Sequence, residues 1–91
     1  MHVIRTSLSG TPQGPAQDSA PALVADLIWA YTAPSHGLEH LRAKATDEGM
    51  DVYLFLRAAS EAAALDQAHA ILAGAHAPLV SHGYHATATH R

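Results

Sequence analysis

Two runs of alternating side chains flank a turn, and their register constrains this chain more than any other feature. The runs are LEHLRAKA at 38–45 and MDVYLFLR at 50–57, and Asp47-Glu48-Gly49 lies between them. A glycine ending such a cluster supplies the left-handed conformation that a tight hairpin needs. Folding about it sets Ala45 against Met50, Ala43 against Val52, Leu41 against Leu54 and Glu39 against Leu56. The opposite side then pairs Lys44 with Asp51, Arg42 with Tyr53, His40 with Phe55 and Leu38 with Arg57. One register therefore gives an apolar face, Glu39 excepted, and a second face that matches opposite charges across strands. A slip by one residue mixes both faces. The spacing predicts a β-hairpin rather than a helix followed by a strand.

The flanking segments fall into place around it. Residues 2–8 (HVIRTSL) are short, β-branched and alternating, and read as a strand. Residues 9–18 hold two Gly, two Pro and no large apolar side chain, and read as a flexible loop. Residues 19–32 fit two periods. As a strand over 22–33, Leu23, Leu27, Trp29 and Tyr31 share a side, with a helix over 36–47 and a ββαβαβ order. As a helix, Leu23, Leu27, Ile28 and Tyr31 form the buried stripe with Asp26 opposite, and Trp29 anchors in the core. Asp18 or Ser19 would cap that helix, Pro21 suits its first turn, and Pro34 and Gly37 end it. Residues 60–73 read as a helix capped by Ser60, with Glu61 at its positive end. Its expected core stripe is Ala64, Leu65, Ala68, Ile71 and Leu72, with Gly74 as the stop. Residues 79–88 read as a last strand with a bulge at Gly83, and 89–91 as a frayed tail.

The order strand, helix, strand, strand, helix, strand resembles the ferredoxin-like small domains across nearly the whole chain. The resemblance is architectural and rests on no diagnostic motif. It implies one α+β domain over residues 1–91, a ferredoxin-like βαββαβ sandwich. A four-stranded antiparallel sheet in the order 4-1-3-2 would carry two helices on one face and leave the other open. Metal chaperones, ligand sensors, RNA readers, propeptides and dimeric-barrel enzymes share that architecture, so it selects no function.

Composition narrows the field. The absence of cysteine removes disulfides, thiolate metal sites, the CxxC of metal chaperones and a cysteine nucleophile. The longest apolar stretch, 22–33, contains Asp26 and is too short to cross a bilayer, and no secretory signal is evident. A cytoplasmic location without membrane contact is expected. The chain carries 20 alanines, a usage that suggests a high-GC bacterial source. Its net charge of −3 opposes generic binding to polyanions. The cations are nonetheless gathered: the hairpin register sends Arg42, Lys44 and Arg57 to the open face, where Arg5 of the first strand joins them.

These residues lead to the functional expectation. The chain reads as a non-catalytic binding, accessory or regulatory protein, homodimeric and without a cofactor. Its open face of Arg5, His40, Arg42, Tyr53, Phe55 and Arg57 would receive an anionic small molecule or a protein partner. One alternative is a cyclase-like enzyme in a dimeric α+β barrel, with His40 as acid or base beside Arg42 and Arg57; it requires an enclosed cavity. Another is single-stranded nucleic acid stacked on the aromatics, against which the net charge and the lack of an RNA-reader signature both count. His82, His85 and His90 are the candidate metal ligands, but residues three apart on a strand share a side only if Gly83 bulges it. His36 and His40 have ligand spacing only in a helix. His69 reads as a half-exposed surface residue and His76 as a loop residue. No P-loop, GxGxxG, GxSxG, HExxH or EF-hand pattern occurs.

Overall fold

The alternation that marks the hairpin builds two adjacent strands in the computed structural model, which describes residues 1–10, 20–47 and 49–90. Strand β1 spans His2–Gly10, helix α1 Ala20–Ala30, strand β2 Leu38–Ala45, strand β3 Gly49–Leu56, helix α2 Glu61–Ser81 and strand β4 Tyr84–His90. A single 3-10 turn, Pro34–His36, leads from α1 into β2. The fold is thus α+β, with two helices and one four-stranded sheet in the order β2-β3-β1-β4 among the described residues. Every neighbouring pair runs antiparallel. Residues 20–30 are therefore a helix rather than a strand, and 38–45 a strand rather than a helix.

From Ala45↔Met50 to His40↔Phe55 the hairpin keeps the register that its side chains predict. Beyond His40 the register shifts, and Leu38 rather than Glu39 stands opposite Leu56. The irregularity has a clear cause. A regular ladder would press the Glu39 carboxylate against the core, whereas the shift leaves Glu39 exposed and turns Leu38 inward. Arg57 consequently loses the partner expected for it; its backbone N–H donates to the Gly37 carbonyl at 2.8 Å.

The core lies between the helices and one sheet face. Ile4 and Leu8 from β1, Leu41 from β2, and Met50, Val52, Leu54 and Leu56 from β3 meet both helices there. Thr6 is a polar side chain buried among them, and its hydroxyl shares a 2.7 Å hydrogen bond with that of Thr89. That pairing satisfies a group whose burial alone would be costly.

Of the stripe expected for α1, Ile28 is buried and Leu27 partly so, while Leu23 and Tyr31 are not; the helix buries Ala20, Val24 and Ile28. Spaced four apart, these small and branched side chains let the helix approach the sheet closely. Leu23, Tyr31 and Trp29 are displaced outward; Trp29 is 42% exposed and is no core anchor. The capping residues expected for α1 and most of the 9–18 loop fall outside the described residues, although Ser9 and Gly10 extend β1.

Helix α2 begins as predicted: the Ser60 side chain accepts the Ala63 N–H at 3.0 Å. It does not stop at Gly74. It continues through Pro78 to Ser81, because Ala75 and Leu79 prolong the buried row of Ala64, Ala68, Ile71 and Leu72. Burying a leucine is worth roughly 1.5–3 kcal/mol, comparable with the helix penalties of Gly and Pro combined at about 4 kcal/mol when the further contacts of the last turn are added. Leu65 is only half-buried. His76 is therefore an exposed helix residue rather than a loop residue, and His69 is likewise exposed. Strand β4 starts five residues later than expected, at Tyr84, after a turn at Gly83 with φ 90°. Its pairing runs to His90 opposite Arg5, so Thr89 and His90 belong to the sheet.

Candidate functional site

Strand alternation fixes what the second face of the sheet presents. With Met50, Val52, Leu54 and Leu56 turned to the helices, Asp51, Tyr53 and Phe55 point the other way and are half-buried. His40, Arg42 and Lys44 of β2 stand beside them and are exposed. On the other flank of β3, Arg5 pairs with Tyr53, Ser7 with Asp51, and Val3 with Phe55. Val3 is 43% exposed, an apolar side chain left at the surface of that face. Three cations, Arg5, Arg42 and Lys44, thus surround two rings, with Asp51 the carboxylate among them. The chain as a whole is negative, so this grouping is a local reversal of its charge.

Two adjacent depressions mark the face. The larger, about 550 Å³, is an open groove lined by Arg42, Ala43, Lys44, Tyr53 and Phe55. At its end the His40 ring packs on Phe55, with centroids 5.2 Å apart and planes tilted by 50°. The smaller, about 240 Å³, is lined by Ser7, Leu8, Ser9, Thr46, Asp51 and Thr87. Its walls are tied together across strands. Ser7 Oγ donates to Asp51 Oδ1 at 3.1 Å, and Thr87 Oγ1 donates to the Ser7 carbonyl at 3.1 Å. Thr87 reaches that position because the β1–β4 register shifts between Ser7 and Leu8.

Of the residues singled out in the sequence, Arg42, Tyr53 and Phe55 line the groove together. His40 flanks it and Arg5 stands one strand away. Arg57 lies past the end of β3, exposed, and is not part of the lining. Lys44 joins the groove, a role signalled by its pairing with Asp51 in the hairpin register. The hydroxyl-lined depression carried no such signal, since it collects side chains from β1, β3, β4 and the hairpin turn.

The histidines are dispersed. His82 follows the last turn of α2, with its ring Nδ1 2.9 Å from the Pro78 carbonyl oxygen, whereas His85 sits on β4 opposite Ser9. The H-x2-H spacing therefore straddles a helix end and a strand, and Gly83 is a turn rather than a strand bulge. His36 lies in the 3-10 turn, where its Nδ1 accepts the Ala33 N–H at 3.2 Å, so it forms no helical pair with His40. Among the described residues no three His, Asp or Glu side chains converge as a metal site would require. No helix among them is long and apolar enough to cross a membrane. Compared with family models, with curated proteins and with solved structures, the chain matches none.

Proposed function

We propose that this protein is a non-catalytic binding or accessory domain, ferredoxin-like in its arrangement, whose open sheet face receives an anionic small molecule. The observation that carries this reading is the gathering of Arg42, Lys44 and Arg5 around the rings of Tyr53 and Phe55 on a net-negative chain. Arginine holds carboxylate or phosphate through paired N–H donors, and lysine adds a point charge. The half-buried rings give a planar ligand an apolar surface to rest on.

The working form is a homodimer with the two open faces opposed. Stacking would cover Val3, Tyr53 and Phe55, the apolar part of each face. It would also set the cations of one face against those of the other. Bound anions remove that repulsion, so ligand and dimer favour one another by linkage. The catalytic alternative with His40 as acid or base has less support, because the His40 ring rests on Phe55 at the end of the groove and does not line it.

The test is sedimentation equilibrium and an amide chemical-shift titration with inorganic phosphate and citrate. Shifts confined to β1, β2 and β3, a rise in mass with anion, and loss of both in Arg42→Ala/Lys44→Ala support the reading. A monomer whose face amides do not move with either anion overturns it. Binding of single-stranded oligonucleotides in preference to citrate would transfer the face to nucleic acid.

A further inference from the structure

The two depressions share one face, and their contact is the cross-strand pair Lys44 and Asp51. Lys44 lines the groove and Asp51 the hydroxyl-lined hollow. Tyr53 of the groove and Asp51 of the hollow are two residues apart on one strand, about 6.6 Å. The spacing suits the acid group and the body of one small molecule. We infer that the ligand is a hydroxyl-rich anion of the sugar phosphate or sugar acid class. Its acid group lies against Arg42 and Lys44, and its hydroxyls lie on Asp51, Ser7, Ser9 and Thr46. This inference rests on the anion-binding reading and names the ligand class for it.

The chemistry of the hollow selects hydroxyls. Ser9 and Thr46 can donate and accept, while Ser7 and Thr87, whose protons are held by Asp51 and the Ser7 carbonyl, accept along with Asp51, which complements groups that also do both. An ammonium only donates, and Lys44 beside Asp51 already supplies the local cation. A second acid group is repelled there by the Asp51 carboxylate, so the anionic end is confined to the Arg42 side. Inorganic phosphate alone leaves the hollow unfilled. The polar walls also disfavour an apolar tail, which would shut water away from the Asp51 carboxylate and leave it the Ser7 hydrogen bond alone.

Isothermal titration calorimetry of the full chain tests this with five probes: glucose 6-phosphate, gluconate, ethyl phosphate, inorganic phosphate and glucose. The expected result is binding of glucose 6-phosphate or gluconate about tenfold tighter than ethyl phosphate and inorganic phosphate, as two or more added hydrogen bonds would give. Preference between the first two tells a phosphate from a carboxylate as the acid group. Asp51→Asn should erase the advantage without weakening inorganic phosphate, because it removes a negative charge from the face. Thr46→Val, at an exposed side chain, should reduce the advantage and guards against a folding defect in Asp51→Asn. Equal affinities for all the anions, or an advantage that survives both substitutions, would overturn the inference and leave the anion reading standing. Failure of every anion to bind would remove both.

Discussion

Substituting Gly37 with alanine should cost this protein about 2–4 kcal/mol, and the structure shows why. Gly37 closes the 3-10 turn at φ 71° and ψ 18°, the left-handed region, and its carbonyl receives the Arg57 N–H that fastens the start of β2 to the end of β3. An L side chain in that conformation costs roughly 1–2 kcal/mol. A Cβ there would also stand 2.6 Å from the Arg57 carbonyl oxygen and 2.7 Å from Gln67 Nε2. The carbonyl belongs to the backbone and yields little. The Gln67 amide can swing away, but it would abandon its hydrogen bonds to the His36 and Arg57 carbonyls. Each is worth about 0.5–1.5 kcal/mol, the lower half of that range for the exposed bond to Arg57. Urea unfolding followed by circular dichroism measures the total; with a slope of about 1–3 kcal/mol/M the midpoint should fall by roughly 0.7–4 M. Gly37→Asn should lose less, since asparagine tolerates the left-handed region, and Gln67→Ala should lose about 1 kcal/mol. The double substitution Gly37→Ala/Gln67→Ala should be less than additive, because the first already displaces the amide. An alanine variant within about 0.5 kcal/mol of the parent would refute the assignment of strain and contact to this position.

Two further outcomes follow from buried or interrupted elements. Pro78 lacks the N–H that would bond the Gly74 carbonyl within α2, so Pro78→Ala should raise stability by about 1–3 kcal/mol in the same assay, and a loss of stability would show that ring packing outweighs the missing bond. Burial raises the Tyr84 phenol above its ordinary 10.0 by disfavouring the phenolate. The unfolded chain ionises first, so this group's contribution to stability is full below pH 10.0 and is lost as pH climbs through the folded value. Denaturation midpoints taken from pH 9 upward should therefore fall more steeply for the parent than for Tyr84→Phe, and parallel curves would contradict the burial.

The parts of this molecule legible in its residues are those decided by neighbours in the chain. The hairpin register between 40 and 55 follows from alternation about one turn, and it carried Arg42, Tyr53 and Phe55 onto a common face together with Lys44. The start of α2 follows from Ser60, whose oxygen meets an N–H three residues on. What needed the tertiary structure were choices in which burial overruled a local preference. Gly74 and Pro78 are stop signals in isolation, yet Ala75 and Leu79 have a core to enter and the helix runs through both. Trp29 is a large apolar residue, yet the closer fit of Ala20, Val24 and Ile28 turned it outward. Glu39 kept alternation going until the cost of facing the core broke it. The hollow around Asp51 is the extreme case: Ser7, Asp51 and Thr87 are 44 and 80 positions removed from one another along their hydrogen bonds, and a register shift in β4 completes the wall. Local propensities amount to about 1 kcal/mol per residue, so packing several side chains at once outweighs them, and only the assembled sheet decides which groups meet.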